Sequence, residues 1–458
     1  MSSRGMNCRM GSSVVSYPMR FPFVSVCLLV LALTAQSSRG EKCLVIGDSL
    51  TKEYEAWFPG YYPDNPEAWD TRNWIEILHQ LRTDWFDTGT YQTWAPPRAL
   101  GHKHNWAFPG AKISDIRERI HLTGPFDPDQ FWVDELENQI EVQVDRVVLF
   151  AGGNDVDAIY PQIYEGADPA PLIQPIIDNL IWLVDWVRAR APFRHIVLVG
   201  VPHVGITPNI QSAHPTDPVK TGRVTAAFDT LNDALAAAAA TRGIGFCREV
   251  YDLTVRMLSE TVCIDGVDFI YESDPDARPR YVFTGDGFHP ATAPHGKIAQ
   301  AIVDTFNAAY PSTPMTPLAD SEILTNVLGL SNDLPFPDFL DTYVIDPSKR
   351  GLLDDPESDG IENLIEFAID GFDPTAADGS PFTSVSETEI DSVVYLAFTY
   401  RPRAQPCGWC TVTPKISTNL SDWDDVPAAQ WIDNTDGTFS VLLPKNSGPV
   451  FLNLLVER

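Results

Sequence analysis

Short apolar runs that alternate with long helical patterns constrain the fold of this chain most strongly. The runs are apolar at consecutive positions and rich in β-branched residues, which is typical of strands buried on both faces. Helical patterns of about twenty residues, Pro171–Ala191 and Thr221–Ala240, separate the later runs. We therefore predict an α/β fold with a parallel sheet covered on both faces by helices. The predicted strands are Cys43–Ile46, Val147–Phe150, His195–Val201 and Ile244–Tyr251.

The first strand ends at a serine. Gly47 and Asp48 interrupt the apolar run, and Thr51–Tyr54 can begin a helix, so Ser49 lies on a strand-to-helix turn. Open α/β sheets place their sites at this carboxyl edge. Backbone N–H groups near a helix start there face developing negative charge. For an isolated Gly-Asp-Ser-Leu the alternative is a serine that only caps a helix, but the motifs downstream favour a functional serine.

Three further motifs follow in a defined order, each at the edge of a predicted strand or helix. They are Phe108-Pro109-Gly110-Ala111, Gly152-Gly153-Asn154-Asp155, and Asp286-Gly287-Phe288-His289-Pro290. With the serine turn, they resemble the conserved blocks of the SGNH (GDSL) hydrolase family over roughly residues 43 to 310. The resemblance implies a three-layer α/β/α, flavodoxin-like parallel sheet and the activity of a serine ester hydrolase.

The same resemblance implies a role for five residues. Ser49 would be the nucleophile, His289 the general base, and Asp286 the carboxylate that orients the imidazole. The oxyanion hole would combine the backbone N–H groups of Ser49 and Gly110 with the side-chain amide of Asn154. No cofactor is expected for catalysis.

Two other histidines compete with His289 as candidate bases. His203 and His214 both lie in or near a loop rich in Pro, Gly and Thr. Only His289 follows an acid by three residues just before a helix, which is the arrangement of the family. The sequence therefore favours His289.

The N-terminal segment predicts export. Three arginines (Arg4, Arg9, Arg20) and no acid precede or begin the apolar stretch Phe21–Leu33, and small residues follow it. This pattern is typical of a secretory signal that ends near residue 40, although an uncleaved anchor remains the alternative. We predict a bacterial protein that is secreted, periplasmic or at the cell surface.

Net charge excludes some partners. The formal charge is -30, and removal of residues 1–40 takes away four arginines and no acid, which leaves -34. So acidic a chain is not expected to bind nucleic acid, or any membrane beyond the signal segment, by electrostatics.

The proline-rich stretch Pro311–Pro317 marks a predicted domain boundary. We predict a signal peptide at 1–40, a hydrolase domain at 41–310, a linker at 311–345, and a calcium-loop and β-rich module at 346–458. Short strands in the last segment predict a small β-sandwich, and the module resembles one found on secreted proteins of verrucomicrobial and planctomycete-type bacteria. The strands are Val393–Tyr400, Val412–Ser417 and Phe439–Leu443.

A twelve-residue acidic stretch in this module fits a calcium loop. Gly360 stands at the sharp turn, and oxygen ligands recur at the spacing of an EF-hand. Glu357 at position three and Glu362 at an ordinarily apolar position depart from that pattern. The alternative, an acidic turn that caps the helix Glu362–Ile369, stays open. The predicted calcium ligands are Asp355, Glu357, Asp359, Ile361, Asn363 and Glu366.

Five cysteines remain after the signal segment. Cys407 and Cys410 are spaced to close a small disulfide, and Cys247 with Cys263 forms a second predicted pair. Cys43 is then left as a buried free thiol.

The predicted function is that of a secreted serine esterase that deacetylates a carbohydrate, with an acetylated polysaccharide such as xylan as substrate. Trp57, Tyr61, Trp69 and Trp94 lie in loops after the serine; most are expected to pack beneath the loops, and one or two to line the site. A lipase, lysophospholipase or arylesterase is the alternative within the same chemistry. An alternative of another class is a carbohydrate-binding or surface-attachment protein with a vestigial hydrolase domain.

Overall fold

Five parallel strands form the central sheet in the computed structural model of the protein. The model describes residues 40–57, 71–95, 98–121, 130–274, 279–377, 380–382, 384–404, 407–445 and 448–457. The strand order is β2-β1-β3-β4-β5. The strands are β1 (Cys43–Gly47), β2 (Asn105–Ala107), β3 (Arg146–Phe150), β4 (His195–Val199) and β5 (Gly245–Cys247).

Helices cover both faces of this sheet. Alternate side chains of β1 enter separate cores, Leu44 and Ile46 on one face and Cys43 and Val45 on the other. Helices α2 to α6 pack in the first core, and α1 and α8 in the second, so the predicted α/β/α arrangement is confirmed. The helices are α1 (Trp74–Leu81), α2 (Ile113–His121), α3 (Gln130–Asn138), α4 (Gly153–Tyr164), α5 (Ala170–Arg190), α6 (Pro218–Arg242), α7 (Glu249–Arg256) and α8 (Thr292–Ala309).

The predicted strand Ile244–Tyr251 is too long. Strand β5 ends at Cys247, and α7 begins at Glu249. Val250 and Tyr251 are buried from this helix. A short apolar run does not by itself distinguish a strand from the start of a buried helix.

Shorter elements connect the main ones. Among the described residues before the C-terminal region, two antiparallel ribbons and one parallel pair of strands lie outside the central sheet. The ribbons are Tyr91–Thr93 with Leu100–His102 and Cys263–Ile264 with Val267–Asp268, and the parallel pair is Ile270–Asp274 with Tyr281–Thr284. The short helical segments are Tyr54–Trp57, Gln139–Gln143, Val204–Ile206, Pro208–Ala213, Asp320–Glu322, Ile323–Val327, Pro335–Asp341, Pro347–Lys349, Asn363–Ala368 and Ala428–Gln430.

The C-terminal strands form two antiparallel sheets around a shared core. Tyr400 and Val441 from one sheet pack with Leu454 from the other, as expected for a β-sandwich. The first sheet has the order β6-β7-β11-β10 and the second β9-β8-β12. The strands are β6 (Ser384–Ile390), β7 (Val393–Tyr400), β8 (Thr411–Ser417), β9 (Asp424–Asp425), β10 (Trp431–Asp433), β11 (Phe439–Pro444) and β12 (Phe451–Glu457).

The interval 311–345, predicted as a linker, is not an open connection. Met315, Leu318 and Ile323 are buried in the same core as α1 and α8. Phe336 and Leu340 pack instead with Trp409 of the C-terminal region. The prolines correctly indicated a break in helical structure. Apolar residues of the segment, however, pack partly in the core of α1 and α8 and partly against the C-terminal region. Residues 41–458 accordingly form one compact unit.

The disulfide pairing differs from both predicted pairs. Cys263 is bonded to Cys407, with 5.5 Å between their Cα atoms and 144 residues between them in sequence. Cys247 is a buried free thiol at the end of β5, and Cys43 is free and buried as predicted. Packing of Trp409 against Gly266 brings the two cysteine segments together. Spacing along the chain cannot reveal such a contact.

Among the described residues, no helix combines the length and apolar character needed to cross a membrane.

Candidate active site

Strand register brings three predicted site loops to one edge of the sheet. Gly47, the last residue of β1, pairs with Ala107 of β2 on one side and with Phe150 of β3 on the other. The segments that follow these strands contain Ser49, Gly110 and Asn154, respectively. Because all three strands are parallel, these residues meet at the same carboxyl edge.

Gly47 is required by close packing at the serine turn. A Cβ atom there would lie 2.2 Å from the carbonyl oxygen of Phe150 and 2.7 Å from Cβ of Thr51. The Thr51 hydroxyl donates a 3.0 Å hydrogen bond to that same carbonyl. The glycine therefore lets the turn approach β3 closely.

Ser49, His289 and Asp286 form one hydrogen-bonded chain. His289 Nε2 lies 2.9 Å from Ser49 Oγ, across 240 residues of sequence. His289 Nδ1 lies 2.5 Å from Asp286 Oδ2. Ser49 and His289 are both buried, with 3% and 8% of their surface exposed. The structure thus brings together the three residues that the sequence predicted as a triad.

The environment of Asp286 sets the tautomer of His289. Burial by itself would raise the pKa of Asp286, but hydrogen bonds from the His289 ring and from backbone amides outweigh it and lower the pKa to about 2. Its Oδ1 accepts from the backbone N–H groups of Phe288 and His289, each at 2.9 Å. An ionised Asp286 can only accept, so Nδ1 of His289 carries the proton. Nε2 then presents a lone pair to the Ser49 hydroxyl.

The Gly110 loop and the start of α4, which contains Asn154, are joined directly. Asn154 Nδ2 donates to the Ala111 carbonyl at 3.1 Å, and the Ile113 N–H donates to Asp155 at 2.9 Å. Gly110 itself is exposed and has φ of 75°, a left-handed conformation that favours glycine. Asn154 lines the same pocket as Ser49.

Two buried carboxylates hold the site loops together. Asp48 accepts from the N–H groups of Leu50 and Gly153, which ties the serine turn to the start of α4. Burial raises the pKa of Asp48 to about 6, although these backbone hydrogen bonds act in the opposite direction. Burial likewise raises the pKa of Asp155 to about 6. Asp48 and Asp155 therefore position segments of the site, whereas the carboxylate that contacts the His289 ring is that of Asp286.

The competing histidines make contacts outside the triad, although His203 also lines the pocket of Ser49. His203 Nε2 lies 3.1 Å from the Thr225 hydroxyl, and burial lowers the pKa of His203 to about 4. His214 packs against the rings of Tyr160 and Tyr164. The preference for His289 over both agrees with this geometry.

A small pocket lies beside Ser49. Its cavity volume is about 50 Å³. Its wall is mostly apolar and includes side chains from both cores, so a ligand group that enters it must be small and apolar. The apolar wall residues include Leu50, Ile206, Val250, Phe283, Phe288 and Ile298.

The sequence did not identify every residue around the triad. The Thr284 hydroxyl donates to Asp286 Oδ1 at 2.9 Å, and the Tyr54 hydroxyl contacts the loop of His289. Only the position of Thr284 two residues before the acid hinted at such a role. Of the four aromatic residues predicted near the site, Tyr61, Trp69 and the side chain of Trp57 lie outside the described residues. Trp94 donates to the Gly101 carbonyl and packs against Arg98.

The predicted calcium loop brings three of its six candidate ligands together. Asp355, Glu357 and Asp359 each offer an oxygen within 4.8 Å of the others. Burial and the charges of Asp359 and Asp355 raise the pKa of Glu357. Like charges held this close repel one another, and a divalent cation would relieve that repulsion.

The other three candidate ligands lie in, or just before, the helix Asn363–Ala368 that follows the loop. Asn363 and Glu366 are buried in the helix that follows the loop, and Ile361 is buried between them and the acidic residues. Asp355 accepts from the N–H groups of Asp359 and Gly360, and Glu362 makes no side-chain cap on the helix. Calcium binding at this loop stays a proposal.

Calcium removal is expected to lower thermal stability. If the loop holds calcium, chelation with EGTA should lower the melting temperature by roughly 5 °C, because binding to the folded state alone stabilises it. Glu366→Gln should abolish the difference between calcium and EGTA, whereas Glu389→Gln, an exposed change in β6, should leave it intact. An equal melting temperature in calcium and in EGTA would contradict the proposal.

Comparisons with known proteins find only distant structural likeness. No family model matches the chain, and no curated protein matches it. An alpha/beta hydrolase enzyme from the metagenome of Lake Arreo is 15% identical, with a TM-score of 0.32, over 59% of this chain and 96% of that one. An acetylxylan esterase from Geobacillus stearothermophilus is 18% identical, with a TM-score of 0.31, over 58% and 94%. Phospholipase A1 from Streptomyces albidoflavus is 16% identical, with a TM-score of 0.32, over 58% and 99%.

Proposed function

We propose that the chain is a serine ester hydrolase of the SGNH (GDSL) type, which transfers an acyl group from an ester to water. The observation that carries this proposal is the hydrogen-bonded chain Ser49–His289–Asp286 at the carboxyl edge of the parallel sheet. A serine hydroxyl is a weak nucleophile, and a base within hydrogen-bond reach activates it. The 2.9 Å contact between Ser49 Oγ and His289 Nε2 satisfies that requirement.

The reaction proceeds in two steps. His289 Nε2 removes the proton as Ser49 Oγ attacks the ester carbonyl, and the imidazolium then protonates the departing alcohol. Water attacks the acyl-enzyme with His289 again as base, which releases the acid and restores Ser49. The ionised Asp286 stabilises the imidazolium in both steps without taking its proton.

An oxyanion forms in each step and needs hydrogen-bond donors. Ser49, Gly110 and Asn154 supply them in this proposal: two backbone N–H groups and one side-chain amide. The contact between Asn154 and the Ala111 carbonyl supports it, because one N–H of the amide anchors the Gly110 loop and a second N–H is left to donate. Each such donor is worth about 3 kcal/mol in the transition state.

The substrate proposed is a short-chain ester, and an acetylated carbohydrate in particular. A pocket of about 50 Å³ beside Ser49 accommodates roughly four non-hydrogen atoms. An acetyl group fits that space, whereas a long acyl chain exceeds it. This size favours an acetyl esterase over a lipase or lysophospholipase, and export of the chain through residues 1–40 would bring it to extracellular polysaccharide.

Acyl-chain selectivity tests this proposal. The protein should hydrolyse p-nitrophenyl acetate with a kcat/KM roughly 100-fold above that for the octanoate, because the pocket is small and buried apolar side chains such as Val250 and Ile298 line it. Val250→Ala should shift the preference toward butyrate. Val255→Ala makes the same substitution in α7 outside the pocket and should not.

The possible outcomes separate the alternatives. Activity that rises with chain length would contradict the acetyl esterase proposal and favour a lipid esterase. Absence of hydrolysis of every ester would contradict the enzyme assignment and favour the carbohydrate-binding alternative.

A further inference from the structure

The Tyr54 hydroxyl bridges the serine segment and the histidine loop. Tyr54 lies five residues after Ser49, and its hydroxyl is 2.9 Å from the carbonyl oxygen of Pro290, the residue after His289. The same hydroxyl is 2.8 Å from Nε2 of His295, in the first turn of α8. Tyr54 and His295 are both buried, with 1% and 0% of their surface exposed. The contact is therefore shielded from competing water.

The direction of each hydrogen bond follows from the number of protons. The Pro290 carbonyl can only accept, so Tyr54 must donate its single hydroxyl proton to it. His295 Nε2 must then donate to the Tyr54 oxygen. This assigns the proton of neutral His295 to Nε2 and leaves a lone pair on Nδ1.

The surroundings of His295 keep it in that neutral form. Burial, followed by the charge of nearby His289, lowers the pKa of His295 to about 3. Within the described part of the chain, its Nδ1 has no hydrogen-bond partner, so a proton there would be buried without an acceptor. His295 is thus a fixed donor to Tyr54 over the range in which an ester hydrolase works.

Tyr54 completes the attachment of the loop that carries His289. The Thr284 N–H donates to the His289 carbonyl at 2.9 Å, and the Ala291 N–H donates to the Val282 carbonyl at 2.8 Å. Both bonds tie the loop to its preceding strand Tyr281–Thr284. The Asn209 N–H donates to the Gly287 carbonyl at 2.9 Å, and the Tyr54 hydroxyl adds a tie at Pro290 from the segment that carries the nucleophile.

We propose that Tyr54, oriented by His295, is a positioning residue that holds His289 at hydrogen-bond distance from Ser49. The inference rests on the proposed function, because it assigns a role in the same reaction. Removal of the hydroxyl would leave the triad residues present but would release one side of the loop. A displacement of about 1 Å in a reacting pair is enough to slow a reaction about 100-fold.

Tyr54→Phe tests the inference, with Tyr164→Phe as the matched control. The Tyr164 hydroxyl also donates to a proline carbonyl, that of Pro215, at 2.6 Å, but outside the pocket of Ser49. Tyr54→Phe should lower kcat about 10- to 100-fold with KM changed less than about twofold. Labelling of Ser49 by a fluorophosphonate should slow by the same factor. Tyr164→Phe should change neither.

His295 provides a second, conservative test. His295→Gln retains an N–H donor toward Tyr54 and should keep most of kcat, whereas His295→Leu removes the donor and should resemble Tyr54→Phe. Equal kcat in Tyr54→Phe and Tyr164→Phe overturns the inference. The inference is also overturned if Tyr54→Phe lowers kcat but its Ser49 reacts with the fluorophosphonate as fast as in the unmodified protein. Absence of Ser49-dependent hydrolysis in the unmodified protein would instead overturn the proposed function.

Discussion

Ser49→Ala is expected to abolish ester hydrolysis, with kcat lowered by a factor on the order of 10⁶. The substitution removes the only atom that can form the acyl-enzyme in the proposed reaction, while Asp286 and His289 keep their hydrogen bond. Residual hydrolysis would come from the oxyanion donors acting on a bound water. The measurement is hydrolysis of p-nitrophenyl acetate by the purified variant.

Folding must be measured on the same sample. The lost atom makes one hydrogen bond to His289, so the melting temperature should stay within about 2 °C of that of the unmodified protein. Ser321→Ala, an exposed serine in the segment Asp320–Glu322, should retain full activity. Undiminished hydrolysis by a folded Ser49→Ala variant would exclude Ser49 as the nucleophile.

Asp286→Asn is expected to lower kcat by a factor on the order of 10⁴. An asparagine amide at this position can either donate to Nδ1 of His289 or accept from it. The tautomer of the imidazole with its proton on Nδ1 is then no longer favoured. The opposite tautomer presents an N–H to Ser49 and cannot act as a base. The comparison is with Asp178→Asn, an exposed carboxylate on α5, which should leave kcat unchanged.

The same variant should alter the pH dependence of stability. The pKa of Asp286 is lowered from 3.8 to about 2 in the folded protein, so its ionised form stabilises the fold at every pH above the unfolded value. That contribution is lost as pH falls through about 2. The difference in free energy of unfolding between the unmodified protein and Asp286→Asn should therefore shrink as pH falls from about 4 through about 2. A difference that grows over this acidic interval would contradict the assignment.

Local patterns were enough to predict much of the central fold. Consecutive apolar residues predicted β1, β3 and β4, because a strand covered on both faces cannot alternate polar and apolar side chains. The resemblance of the ordered motifs to the SGNH (GDSL) family predicted the meeting of Ser49 with His289, whose loop follows a strand outside the central sheet. The boundary between β5 and α7 was mistaken because its apolar run fits either structure.

Side-chain contacts between distant segments were beyond such patterns. Cys263 and Cys407 are 144 residues apart, and the burial of Trp409 that brings their segments together has no signature in the spacing of cysteines. The Tyr54 hydroxyl contacts the Pro290 carbonyl and His295, yet neither Tyr54 nor His295 belongs to a motif. The interval 311–345 was predicted to be a linker because its prolines are visible in sequence, whereas the core that receives Met315 is not.

The sequence by itself therefore determined the layered α/β architecture, the β-sandwich that follows it and the identity of the triad candidates, because periodicity and motif order are properties of short segments. Only the tertiary structure decided the disulfide, the small pocket beside Ser49 and the contact of the Tyr54 hydroxyl with the loop that carries His289. These depend on distances between side chains far apart in the chain, which packing of the two cores sets and no local spacing records.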